Sequence, residues 1–524
     1  MNARQIGLVM GPLIFAFTAL SAPPQGMDAG AWLVAGLVVW MAAWWITEAV
    51  PMTVTGLLPF VCLPLGGVMN ASETASRYYA PILFLLLGGA FIALAIERTG
   101  LHRRLSLAIL RLVGSGGGAT RLLIAFMMSA AVLSMLISNT STTLIMMPMA
   151  LAVIAGGEAA ESSMGAGAPR ALRPVKEGVR GTASPGWPST RSLPGYNPGG
   201  RVEGAGGSGS EEFEPQTEGL SGALPMGIAF AASIGGLGTI VGSPTNGIAV
   251  QLLDDMIGYQ ISFAQWMLFG LPVVLLGVPL AAAIIARVQR VRQHPFDIAA
   301  ARKTIDSAAP WSSAERRLVP IIAITFSLWM SRLWIAPYLP EKSWTDGTIA
   351  ILASLALFLV PDGTGRPLLK WEEANRAPWG IILMFGGGLA LAAGMDASGL
   401  ARWLGEALLP LEVFPLIVIT LAVVAMIILV TEFASNVATA SGIIPVVASL
   451  AAALGLGADA VLIAMPAALA ASWGFILPAG TGPNAIAWAT GRLRIERLVS
   501  AGLALDILGA VMIIGVVWGM AALL

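Results

Sequence analysis

Two short polar strings interrupt apolar stretches of the chain, Ser138-Asn139-Thr140 and Ser435-Asn436-Val437, and each is followed by a proline, Pro148 and Pro445. A second pair comes after them in the same order, Gly242-Ser243-Pro244-Thr245-Asn246 and Gly480-Thr481-Gly482-Pro483-Asn484. Serine, threonine and asparagine supply neutral donors and acceptors of fixed geometry, and none of the four strings contains Lys, Arg or His. An anion held here must have its charge answered by partial charges, namely the backbone N–H groups that open a helix and the dipole aligned behind them. Two such tips, each gripping one carboxylate, call for a small dianion. The same strings offer carbonyl and hydroxyl oxygens that suit a hard cation such as sodium, and Gly242 and Gly480 free backbone carbonyls to turn inward. A single Ser or Asn in a membrane helix is explained well enough as a hydrogen bond between helices. Four strings recurring in order with the same neighbours are not.

The elements that must position these strings are membrane helices. Of 524 residues, 56% are hydrophobic and 11% charged, with a mean hydropathy of +0.81, which excludes a soluble globular domain. A bilayer-crossing helix needs about 20 mostly apolar residues, and the chain holds roughly eleven such stretches plus two apolar segments that read as hairpins. The first spans fall near residues 6–22, 31–48, 52–67 and 80–96. Arg4, the apolar run from Ile6 to Leu20 and Ser21-Ala22-Pro23 resemble a signal peptide, but the proline and the many later spans favour an uncleaved first helix. Thr99 to Leu112 carries His102, Arg103, Arg104 and Arg111 among leucines and is expected to lie along the cytoplasmic surface. Arg287, Arg290, Arg292, Arg302, Lys303, Arg316 and Arg317 mark a second cytoplasmic segment. Twenty-nine basic residues balance 29 acidic ones, so charge reports topology and gives no reason to expect a nucleic acid. The single cysteine, Cys62, lies in an apolar run, and neither His102 nor His294 begins an HExxH pattern.

The second half repeats the first. Leu87-Gly88-Gly89-Ala90 followed by Gly100-Leu101 corresponds to Phe385-Gly386-Gly387-Gly388 followed by Gly399-Leu400. Matching Gly/Pro-interrupted apolar segments in two halves are the signature of an inverted-repeat secondary transporter with its binding site between the halves. Asn139 and Asn246 are 107 positions apart, Asn436 and Asn484 only 48. The excess is residues 156–219, rich in Gly, Pro, Ser, Glu and Arg, read as a flexible cytoplasmic insertion. The expected division is therefore 1–155, with the first scaffold helices and hairpin; the insertion 156–219; 220–316, with a broken helix, a following helix and a cytoplasmic loop; and 317–524, with the second repeat.

With Trp45-Ile46-Thr47-Glu48-Ala49-Val50-Pro51, Tyr79-Ala80-Pro81, Trp371-Glu372-Glu373-Ala374 and Leu477-Pro478 added to the two serine-asparagine strings, the chain resembles the divalent anion sodium symporter family nearly end to end, the insertion excepted. The resemblance implies an all-α integral membrane protein of the inner membrane, built as a homodimer of scaffold and elevator-like transport parts and carrying succinate, malate, citrate or sulfate with sodium. It implies one sodium site at Ser134, Ser138, Asn139 and Gly242, a second at Thr431, Ser435, Asn436 and Gly480, and substrate contacts from Asn139, Thr140, Ser243, Asn436 and Thr481. Val437 departs from the family's frequent threonine and lacks one hydroxyl, which bears on which dianion is carried.

Glu48 and Glu432 are the carboxylates nearest the strings. A charge at a helix centre costs about 2.5 to 3.5 kcal/mol on insertion scales, so each needs a role, either pairing with helix ends or facing water, or relaying protons. The reading is sodium-coupled symport of C4-dicarboxylates. Sodium-independent exchange, a proton-coupled carrier, and sulfate or citrate transport stay open beside it. A channel does not require duplicated hairpins, and no nucleophile-and-base motif supports an intramembrane enzyme.

Overall fold

The computed structural model describes residues 2–114, 118–165, 217–294, 296–297 and 310–523, and among them every regular element is a helix. Eleven of these helices are long and apolar enough to cross a membrane. That number agrees with the sequence count, but its membership differs. Asn139–Glu158, Leu416–Phe433 and Asn436–Ala453 are hairpin arms, and Gly219–Gly236 is half of an interrupted helix. Hydropathy sees composition and is blind to the turn that folds an apolar run back on itself. The expected span near 52–67 is also divided, into Met52–Thr55 and Leu58–Leu65, where Pro59 lacks the N–H that a continuous helix needs.

The first hairpin has arms Ala119–Ser134 and Asn139–Gly165, and the second Leu416–Phe433 and Asn436–Ala453. The first interrupted helix runs over Gly219–Gly236, a 3-10 turn at Ile240–Gly242, and Pro244–Ile257; the second runs over Val461–Ala470 and Gly482–Ala489. The halves interlock by exchange. Pro244–Ile257 packs on Asn436–Ala453 of the second hairpin, and Gly482–Ala489 packs on Asn139–Gly165 of the first. Gly219–Gly236 is buried along its whole length, so the hairpins and interrupted helices share one core. A second core joins Ala29–Thr47 to Leu63, Met384, Leu391 and Met395.

Corresponding stretches also share backbone detail. Pro81–Thr99 ends at Gly100 with φ 80° and ψ 6°, before Leu101–Gly114. Trp379–Ala397 is followed by Gly399 with φ 79° and ψ 1°, before Leu400–Leu408. Glycine enters this left-handed region without the Cβ penalty, so both helices stop and turn at the same point. Within the second glycine run, a Cβ on Gly387 would lie 2.1 Å from the Gly56 carbonyl oxygen, so only glycine permits that approach.

The helix from Asn139 continues to Gly165, ten residues into the expected insertion, while residues 166–216, like Arg302 and Lys303, lie outside the described residues. Both margins of the insertion are tied to one basic segment. Arg492 donates to both Glu158 oxygens, at 2.7 and 3.3 Å, and Ser221 Oγ donates to Glu158 Oε1 at 2.7 Å. Glu218 pairs with Arg494, Arg497 and His294. Burial works against its charge, but the Arg497 and Arg494 guanidiniums hold the Glu218 carboxyl below the ordinary glutamate range.

Candidate functional site

Each serine-asparagine string is a helix start. Ser138 Oγ accepts from Ser141 N, and Ser435 Oγ accepts from Ala438 N, both at 3.2 Å. The two hydroxyls thus satisfy amides that the first turn leaves without partners. Ser138 Oγ also donates to Ser141 Oγ at 2.9 Å, and Ser435 Oγ reaches Met52 Sδ at 3.3 Å. The hydroxyls of these two expected cation ligands are therefore engaged in capping.

At the first crossing the structure brings Ser134, Asn139 and Gly242 together. The inward amide atom of Asn139 lies 2.7 Å from Ser134 Oγ and 3.2 Å from the carbonyl oxygens of Ala232 and Gly242. If that atom is the amide nitrogen, its two protons are shared among these three acceptors. If it is Oδ1, it accepts from Ser134 but faces two carbonyl oxygens, an arrangement that a bound cation stabilises. The second crossing has the same spacing. Thr431 Oγ1 lies 2.9 Å from Asn436 Oδ1 and 2.9 Å from Ala471 O. One hydroxyl proton serves only one of those acceptors. With the oxygen of each asparagine turned inward, these clusters fit a monovalent hard cation, and no group of three or more His, Cys, Asp or Glu that could hold a metal occurs among the described residues.

The interrupted helices add two atoms that sequence reasoning did not assign. Asn246 Nδ2 donates to Gly236 O and Thr239 O at 2.8 Å each, and Asn484 Nδ2 donates to Leu477 O at 3.2 Å. Both side chains are fully buried, and Oδ1 of each has no hydrogen-bond partner among the described residues. Thr142 and Thr439, three residues after the hairpin asparagines, likewise bury hydroxyls without partners. A buried unpaired acceptor costs free energy, and here the deficit recurs at matching positions of both halves. The signal was present in sequence, since both asparagines stand in the repeated strings.

The remaining expected contacts separate. Thr140 is exposed at the first tip, and its Oγ1 would stand 2.5 Å from a Cβ on Gly482, so the first hairpin meets the second interrupted helix there. Thr481 Oγ1 caps its own helix by accepting from Asn484 N at 3.2 Å. Ser243, at the equivalent helix start, makes no side-chain cap. Val437 packs among apolar side chains. A cavity of about 230 Å³ reaches Ser138, Ser141, Val241 and Pro244, so of the expected site residues it touches Ser138 at the first tip and none in the second half.

The two carboxylates differ. Glu48 is exposed and ends Ala29–Thr47 in a left-handed turn, φ 48°. Glu432 is buried and accepts from Ile476 N at 2.9 Å and Leu477 N at 2.8 Å, bracing the break of the second interrupted helix. Gly480, the expected backbone ligand, lies against Glu432, with its N–H donating to Leu477 O at 3.2 Å.

A family model described as the sodium:sulfate symporter transmembrane region matches residues 2–524. A protein named sodium-dependent dicarboxylate transporter SdcS from Staphylococcus saprophyticus is 34% identical over 525 residues, covering 98% of this chain and 90% of that one. Its namesake from Staphylococcus aureus strain MRSA252 is 34% identical over 524 residues, covering 99% and 91%. Among solved structures, the YdaH transporter of Alcanivorax borkumensis, described as having an unusual topology, aligns over 100% of this chain and 98% of its own with 12% identity and a TM-score of 0.48.

Proposed function

The chain belongs to the sodium:sulfate symporter transmembrane family, and from that premise we propose that it is a sodium-coupled symporter of C4-dicarboxylates of the succinate, malate and fumarate class. The observation that carries the reading is the pair of hydroxyl, amide and carbonyl clusters, Ser134–Asn139–Gly242 and Thr431–Asn436–Ala471, at helix breaks without a cationic side chain in their strings. The relatives' sodium-dependent dicarboxylate transport supports it.

Charge explains the coupling. Four helices begin at the four strings, at Asn139, Pro244, Asn436 and Gly482, and four end beside them, at Ser134, Gly236, Phe433 and Ala470. Each terminus is worth about half a charge of either sign, so the amide ends that grip a dianion are offset by the carbonyl ends nearby. Sodium at the carbonyl ends and a dicarboxylate at the amide ends neutralise each other. Binding one therefore favours the other by the same factor. In this reading Asn139, Thr140, Ser243, Asn436 and Thr481 hold the substrate. Ser134, Asn139, Gly242, Thr431, Asn436 and Gly480 surround the ions, with Ser138 and Ser435 fixing the tips. Hairpins and interrupted helices move as one body against the remaining scaffold, two inverted repeats form one protomer, and the scaffold joins two protomers in the cytoplasmic membrane with 156–219 on the inner side.

Purified protein in liposomes should take up labelled succinate when an inward sodium gradient is imposed and not in choline. Uptake that needs internal dicarboxylate but no sodium would identify an exchanger and defeat the symport reading. A proton-coupled cycle has one observation in its favour. Asp506 is buried beside the Glu432 carboxylate, so two carboxyl groups share one low-dielectric site. Uptake driven by a pH gradient in sodium-free buffer is the result that would select it.

A further inference from the structure

The cavity beside the first hairpin has a charged mouth that the proposed site does not use. Its walls are apolar over Leu86, Ala90, Leu94, Ile381 and Phe385, its inner end reaches Ser138 and Ser141, and among the described residues its only charged lining side chains are Glu97 and Arg376. The two form a loose pair at 3.6 Å, with 36% and 38% of their side chains exposed, a setting in which an ion pair contributes little to stability.

The neighbouring arginines show what a structural arginine looks like here. Arg98 donates to the carbonyls of Pro367 and Leu368 and to Asp362, and lies 3.6 Å from Glu373. Arg366 pairs with Glu373 at 2.6 Å. These contacts tie the 361–374 segment to the end of Pro81–Thr99 and leave two cations matched by two carboxylates. Arg376 makes no side-chain hydrogen bond among the described residues, so its planar fork of donors is unspent, and that fork matches a carboxylate in two-point fashion.

We propose that Arg376 is an anion-capture residue. It takes one carboxylate of an entering dicarboxylate in exchange for Glu97 and passes the ligand along the cavity to the Ser138-Asn139-Thr140 tip, where helix amides replace the guanidinium. The inference rests on the dicarboxylate reading above. The mouth lies at the end of the fold that carries Arg98, Arg104 and Arg317, where Arg104 pairs with Glu315 and Arg317 donates to Pro361 O. By the excess of basic residues there it opens to the cytoplasm. Arg376 thus acts on the inner face, loading outward movement and drawing substrate off the tip during inward movement. A cation at an apolar mouth also raises the local anion concentration, and salt screens that effect.

The test compares right-side-out with inside-out vesicles, titrating labelled succinate from each face. Arg376→Gln should raise the half-saturating concentration at the cytoplasmic face about tenfold or more, the weight of one charge-assisted contact. The opposite face should be unchanged. Glu97→Gln, which frees the guanidinium, should lower the cytoplasmic value, and Arg376→Lys should recover part of the loss together with its salt dependence. A merely structural pair would move both single variants in the same direction and on both faces. That outcome, or unchanged values for Arg376→Gln, overturns the proposal. Wild-type vesicles that move no dicarboxylate from either face would overturn the functional reading itself, and this inference with it.

Discussion

The two crossings of the fold place the same oxygens around different walls. In the first half the residue after Ser134 is Met135, whose carbonyl accepts from Thr239 Oγ1 at 2.6 Å, and the same Thr239 hydroxyl accepts from Gly242 N at 3.0 Å. The break is closed by neutral groups, and Asn246 donates twice across it. In the second half the residue after Thr431 is Glu432, and the break is closed by a carboxylate that takes two consecutive backbone amides. Asn484 donates once. Equivalent breaks are thus braced differently, the first by a hydroxyl within the break itself, Thr239, and the second by a carboxylate from the hairpin, Glu432. A carboxylate beside such a cluster attracts a cation through the low-dielectric interior, so the two proposed cation sites should differ in strength although their nearest side chains match.

The largest effect should come from removing that charge. Glu432→Gln loses the charged acceptor of two buried amides, whose hydrogen bonds are worth about 1.5 to 3 kcal/mol each. We expect the sodium concentration for half-maximal succinate binding to rise by about tenfold or more and the thermal midpoint in detergent to fall. Met135→Leu, the matching change in the first half, should leave both within about twofold of wild type. Equal effects from the two substitutions would erase the distinction between the crossings.

Next in size are the hairpin asparagines. Asn139→Ala and Asn436→Ala should each weaken equilibrium succinate binding by roughly tenfold to 150-fold, the range for hydrogen bonds to a charged group. A variant that keeps wild-type affinity would make its asparagine a helix-packing residue and leave the substrate to one hairpin.

A smaller and more selective change is expected from Ser134→Ala and Thr431→Ala. Each removes a neutral hydroxyl worth about 0.5 to 1.5 kcal/mol, so the sodium dependence of binding should shift by roughly two- to tenfold while succinate affinity at saturating sodium holds. Isothermal titration in sodium and in choline reads both. Identical wild-type succinate affinity in the two buffers would remove the linkage on which the comparison depends.

The smallest effect should follow replacement of residues 170–214 by a short Gly/Ser linker, which keeps Glu158 and Glu218 on the basic segment 492–497. Uptake at matched expression should stay near wild type, and a loss of more than about nine-tenths would show that the insertion belongs to the transport cycle. Glu158→Ala is the contrast. It leaves Arg492 and Ser221 without their shared acceptor and should impair uptake more than the linker does.

Composition and order determined a great deal without coordinates. Hydropathy required an all-helical membrane chain because a backbone in lipid must satisfy its own hydrogen bonds, and the recurrence of four uncharged polar strings located the helix breaks. Gly100 and Gly399 were legible as corresponding positions, and the left-handed turn they share came from the coordinates. Tertiary structure decided the rest. Windows of apolar residues could not separate a crossing helix from a hairpin arm, since both bury the same side chains. Nor could they show that each interrupted helix packs on the opposite hairpin, a pairing between positions nearly 200 residues or more apart in sequence and therefore invisible to any local pattern. The roles of the two glutamates were equally hidden. Glu48 and Glu432 both follow a threonine at the end of an apolar run, and only the chain brought alongside made one of them an exposed helix end and the other a buried brace for two amides.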